Sequence, residues 1–126
     1  MAAALGEGWW PARTTTDGRK LRWGGGTGSE IELFLSSARD LSLTLHCAPY
    51  KYPGAPVQSI EIEVNGSPVT TLSLSPGYRA YEVEIPASVL TTGTNVLRFV
   101  YGYATRPHDA GRGEDRRPLA VKWQAI

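Results

Sequence analysis

The sequence is poor in the residues that carry catalysis and metal binding. Its one cysteine, Cys47, excludes an internal disulfide, and its place in an alternating run marks it as a buried structural thiol. Two histidines, His46 and His108, leave little with which to orient a nucleophile, and no Gly-x-Ser-x-Gly elbow occurs. No short spacing of cysteine and histidine suits zinc. Glu30, Glu32, Glu61, Glu63, Glu82 and Glu84 are each the polar half of an alternating run, so a solvated sheet face accounts for them without paired-acid hydrolysis. No apolar run is long enough to cross a bilayer, and no stretch keeps helical periodicity. Thirteen basic and twelve acidic residues leave a formal charge of +1, so neither nucleic acid nor a membrane surface is an expected partner. An enzyme is not expected, nor is a cofactor.

Turns and alternation are abundant instead. Fourteen glycines and nine prolines punctuate short two-period runs, which is the pattern of an all-β chain of about eight to nine strands. Residues 1–126 are read as a single domain, with residues 1–7 as a flexible leader lacking the basic and apolar segments of a signal peptide. Adjacent Trp9 and Trp10 must face opposite ways in a strand, so at most one of them enters the core directly. Ile31, Leu33 and Leu35 share a face, as do Leu41, Leu43, Leu45 and Cys47, and then Ile60, Ile62 and Val64. Asn65-Gly66 is a strong hairpin signal, because both residues accept positive φ. It also explains Asn65-Gly-Ser67 as turn chemistry rather than a glycosylation site.

The stretch from Tyr78 to Tyr103 organises the rest. Tyr81, Val83 and Ile85 face inward, Pro86 leaves the ladder and starts a turn that carries Val89 and Leu90 inward, and Leu97, Phe99, Tyr101 and Tyr103 form the next inward face. Gly93 and Asn95 are read as tolerating the left-handed backbone of a reversal. The pattern Tyr81-x-Val83-x-Ile85-Pro86-x-x-x-Leu90-x-x-Gly93-x-Asn95-x-Leu97-x-Phe99 resembles the late strands of galactose-binding-like jelly rolls, a superfamily that includes many carbohydrate-binding modules and accessory domains of secreted enzymes. Asp115-Arg116-Arg117-Pro118-Leu119-Ala120-Val121, with Arg22-Trp23 near the start, resembles a signature of some bacterial accessory sandwiches.

The resemblance implies a two-sheet antiparallel jelly-roll sandwich with its N- and C-terminal strands paired. It implies a non-catalytic carbohydrate-binding module, an appendage of a larger secreted or envelope enzyme. The alternative is a structural β-sandwich domain that packs on a catalytic partner without binding sugar. Jelly rolls of this type often hold a structural calcium, and the loop acids Asp17, Asp40, Asp109, Glu114 and Asp115 suit such a cation, although none has the dense spacing of a dedicated calcium loop.

Sugar recognition needs an aromatic platform for the apolar ring face and planar polar groups for the hydroxyls. Four tryptophans and six tyrosines against two phenylalanines favour half-wet aromatic positions. Trp10, Tyr50, Tyr52, Tyr103, Arg106, His108 and Asp109 are therefore the candidate ligand contacts. Prolines around Tyr50-Lys51-Tyr52 stiffen that loop, and the charged loop after Tyr103 lies where scaffolds carry recognition. Against this, the tyrosines can equally pack back over the end of the sandwich, and Asp115 and Arg117 can pair simply to pin the last strand to the first. A binding groove requires at least two well-exposed rings among Trp9 or Trp10, Tyr50 and Tyr103.

Overall fold

The computed structural model describes residues 2–10, 13–14, 20–107, 109, 111 and 117–124. Ten strands lie among them: β1 (Ala2–Leu5), β2 (Arg13–Thr14), β3 (Lys20–Gly25), β4 (Gly28–Leu35), β5 (Leu41–Pro49), β6 (Ser59–Val64), β7 (Ser67–Ser73), β8 (Arg79–Ile85), β9 (Gly93–Tyr101) and β10 (Leu119–Gln124). They form two five-stranded sheets, ordered β1-β4-β9-β6-β7 and β2-β3-β10-β5-β8, with every pairing antiparallel. This is the expected two-sheet sandwich.

Alternation sorts side chains onto two faces, and the inward set becomes the core. Leu33, Leu35, Ile60, Ile62, Val64, Leu97 and Phe99 come from the first sheet, and Leu45, Cys47, Val83, Ile85, Val121 and Trp123 from the second. Asn65 and Gly66 stand at φ of 51° and 84° between Val64 and Ser67, closing the two-residue hairpin. Asn65 does more than turn the chain. Its amide donates to Val89 O and Asn95 Oδ1 and accepts from Val96 N, tying the hairpin to the neighbouring corner. That corner contains the expected plug, a 3₁₀ turn over Ala87–Val89 followed by buried Leu90.

Three expectations change. Residues 2–5 of the supposed leader form edge strand β1, paired to β4 from Ala2↔Phe34 to Leu5↔Ile31. Ladder bonds come from the backbone, so a run of alanines with no inward side-chain signal can still pair. β10 pairs with β3 and β5, so the last strand meets the third rather than the first. Asn95 serves no left-handed turn, a role left to Gly93 at φ 101°. It is fully buried, accepting from Thr91 N and Asn65 Nδ2 and donating to the carbonyls of Thr91, Gly93 and Leu33.

A buried polar relay joins the sheets. Trp123 Nε1 donates to Tyr101 Oη at 3.0 Å, Tyr101 donates to Ser29 Oγ at 2.7 Å, and Ser29 donates to Gly8 O at 2.6 Å. A Cβ on Gly24 would sit 2.1 Å from Tyr101 Oη, so only glycine fits over the relay. Burial pushes the Tyr101 phenol up from 10.0 to about 12 and the Cys47 thiol up from 9.0 to about 12. In that window the unfolded chain releases protons that the folded one keeps, so stability is full below pH 9 and is lost toward pH 12. Urea midpoints should hold steady up to pH 9 and then fall, and Tyr101→Phe should flatten the part of the decline above pH 10. A midpoint unchanged to pH 12 would contradict the burial of both groups.

Candidate functional site

At the end of β5 the chain leaves the ladder at Pro49, yet Tyr50 N still donates to Ala120 O, which holds Tyr50 beside β10. Gly54 at φ 82° turns the loop back, closed by the bond from Ala55 N to Tyr52 O. Tyr103, two residues past the end of β9, is held by Gln58. This fully buried amide donates to Tyr103 O at 2.8 Å and to Ala120 O at 3.3 Å, and accepts from Tyr103 N at 3.1 Å. Gln58 therefore replaces the ladder that has ended there.

These anchors bring four rings together. Trp23 meets Tyr50 edge-on with centroids 5.6 Å apart, Tyr50 lies 5.9 Å from Tyr52 at a tilt of 33°, and Tyr52 meets Tyr103 edge-on at 5.9 Å. Such arrangements suit the ring quadrupoles. The Tyr103 hydroxyl donates to the Tyr50 carbonyl, while Tyr50 Oη is itself buried without a hydrogen-bond partner. Burial first, then the neighbouring Tyr52 and Tyr50 phenols, raise the Tyr103 pKa, which keeps this donor protonated.

Register extends the cluster over the outer face of the second sheet. Trp23 pairs with Lys122, and Lys122 with Ala48, while the adjacent Cys47–Arg79 pair puts Tyr78 beside Ala48. Ala48 offers only a methyl group, and the Lys122 ammonium lies over the Trp23 ring at 4.9 Å and the Tyr78 ring at 5.8 Å.

Trp10 belongs to a second group. Trp9 turns inward, its ring 5.8 Å from Trp123, the one of the pair that alternation allows to do so. Trp10 turns out, donating from Nε1 to Pro118 O, with the Arg117 guanidinium 5.7 Å from its ring centre and Arg22 Nη1 on its carbonyl. A cleft of about 230 Å³ runs between Gly8, Trp9, Trp10, Gly25, Gly26 and Pro118. Arg117 thus meets the N-terminal segment through Trp10. Asp115, its expected partner, lies outside the described residues.

Of the candidate contacts, the fold joins Tyr50, Tyr52 and Tyr103 and places Trp10 in this other cluster. Arg106 and Asp109 are exposed on the turn that follows Tyr103, closed by the bond from Asp109 N to Arg106 O, whereas His108 lies outside the described residues. The expected pair of well-exposed rings is not found. Trp9, Trp10, Tyr50 and Tyr103 are all half-buried, because the rings spend area on one another and on the core. The best-exposed aromatic of the cluster is Tyr78, at 38%.

Trp23, Lys122, Tyr78 and Gln58 are the members that sequence reading missed. Lys122 alternates with inward Val121 and Trp123, which marks it as outward, but alternation does not say what stands beside it. Among the described residues no three metal-binding side chains converge, and Asp40 accepts from Ala87 N to cap the 3₁₀ turn. Asp17, Glu114 and Asp115 lie outside the described residues.

No family model and no curated protein matches the sequence. Solved structures do match the fold. A family 35 carbohydrate-binding module from Clostridium thermocellum superposes with a TM-score of 0.54 at 17% identity, over 99% of this chain and 93% of the module. A cycloisomaltooligosaccharide glucanotransferase from Paenibacillus sp., complexed with cycloisomaltoheptaose, matches with a TM-score of 0.55 at 14% identity, over 97% of this chain and 16% of the enzyme. An exo-β-1,3-galactanase from Phanerochaete chrysosporium, with β-1,3-galactotriose, matches with a TM-score of 0.51 at 16% identity, over 98% of this chain and 27% of the enzyme. At these identities the likeness is one of fold. The chain has a two-sheet antiparallel sandwich like that of such modules.

Proposed function

We propose that this chain is a non-catalytic carbohydrate-binding module that holds sugar by aromatic stacking on the Tyr50–Tyr52–Tyr103 cluster and by hydrogen bonds from the adjoining loop. The observation that carries the reading is that cluster, four half-buried rings with Trp23 included, set by a buried glutamine at the end of a rigid sheet. Rings fixed before binding lose little entropy on contact with a ligand, and tyrosine adds a polar edge to an apolar face. Arg106 and Asp109, exposed on the turn beyond Tyr103, supply the hydrogen-bonding chemistry for hydroxyls, and His108 joins them in sequence. A small site on a preformed sandwich gives weak to moderate affinity.

The parent is a larger secreted or envelope enzyme, with this sandwich as its appendage. In support, the fold recurs as 16% and 27% of two carbohydrate-active enzyme chains. The mutual packing of the rings favours a second reading, in which the cluster is a surface that docks on a catalytic domain and binds no sugar.

Affinity electrophoresis through gels containing soluble polysaccharides separates the two. Under the binding reading the wild type is retarded by at least one polymer, and Tyr52→Ala lowers the affinity about 5- to 10-fold while the fold is kept. Absence of retardation on every polymer leaves the docking reading.

A further inference from the structure

The tyrosine cluster does not end at the loop. Through Trp23 it continues onto the outer face of the second sheet, where the Lys122 ammonium spans from the Trp23 ring to the Tyr78 ring. Trp23, Lys122 and the Ala48 methyl come from β3, β10 and β5, and Tyr78 from the residue before β8, so the row runs across the strands. Three inter-strand spacings make it about 14 Å long, more than one sugar ring covers. Its far end reaches the edge of the sheet. β8 is the edge strand of its sheet, and Tyr78 stands just before it as the best-exposed ring of the set. A site for a chain terminus needs a wall that encloses the terminal hydroxyls, and among the described strands none lies beyond Tyr78.

We propose that the ligand is the interior of a polysaccharide chain, laid across the strands of the second sheet from the loop tyrosines to Tyr78. This rests on the carbohydrate reading above. Tyr52 and Tyr103 hold one part of the chain, the Lys122 ammonium between the Trp23 and Tyr78 rings meets the hydroxyls of the next units, the exposed edge of Tyr78 bears the last of them, and the polymer leaves over the β8 edge. Ala48 matters because a larger side chain there would lift the chain off the rings.

The test begins with gels containing xylan, mannan, β-1,3-galactan or dextran, and continues by calorimetry with the oligosaccharide ladder of whichever polymer retards the protein. Affinity should climb with chain length and should be unchanged when both chain ends are chemically capped. Tyr78→Ala should weaken long oligosaccharides about 5- to 10-fold and leave the disaccharide unaffected. Tyr78 is exposed, so its truncation leaves the core intact. Should Tyr52→Ala abolish binding while Tyr78→Ala has no effect, or should capping the ends destroy affinity, the inference falls and the carbohydrate reading stands. A wild type that no polymer retards overturns both.

Discussion

Replacing Trp123 with alanine is expected to lower the free energy of unfolding by about 3–5 kcal/mol, the range for truncating a large buried aromatic. Trp123 is fully buried, its ring centre 4.9 Å from Phe99 and 5.8 Å from Trp9, so the cavity would open between the two sheets. The truncation also removes the Nε1 donor to Tyr101, but Tyr101 keeps its bond to Ser29, and the packing loss dominates. Urea denaturation of the variant should show the lower stability directly, with a fall in Tm on the order of 10–20 °C. Trp123→Phe should recover part of it. A change below about 1 kcal/mol would mean that β10 does not seat this ring in the core.

Asn95→Ala is the second large effect, expected at about 2–4 kcal/mol. No apolar volume of note is lost. The cost comes from stranding the groups that the amide serves: Thr91 N loses its acceptor, Asn65 Nδ2 keeps only Val89 O, and three carbonyls lose a donor. The informative variant is Asn95→Gly. If the residue were needed only for a left-handed backbone, glycine would serve as well or better. Because the side chain is the working part, glycine should be at least as destabilising as alanine in the same urea titration. An Asn95→Gly protein as stable as the wild type would restore the turn reading.

Asn95 shows why part of the fold escaped the sequence. Asparagine near glycine signals a turn, and here the glycine took that role while the amide closed a network with partners at positions 33, 65 and 91. Two of those partners are more than 25 residues away, beyond the reach of any local signal. The strand over residues 2–5 escaped for a different reason. Its pairing uses backbone groups, and alanine carries no periodicity to announce a buried face. Alternation, by contrast, identified Ile60, Ile62 and Val64, then Val83 and Ile85, and Leu97, Phe99 and Tyr101, as inward residues, because a two-residue period is a property of one strand alone.

For the candidate site the division is sharper. Tyr50 and Tyr52 were legible as half-wet aromatics in a loop next to a strand end, whereas Tyr103 read as the last inward residue of a strand that in fact stops at Tyr101, and the fold brings the three rings together. Trp23, Lys122 and Tyr78 were legible only as members of separate strands. They become neighbours because the sheet order is β3-β10-β5-β8, which places residue 122 between residues 23 and 48.

Local chemistry was enough to establish an all-β chain, its inward faces, its Asn65-Gly66 hairpin and its proline-started corner, since each depends on residues within a turn or a strand of one another. Which strands lie side by side, and so which rings share a surface, was decided only when distant segments packed. Pairing order reflects the burial of two whole faces against each other, a property that no single segment contains.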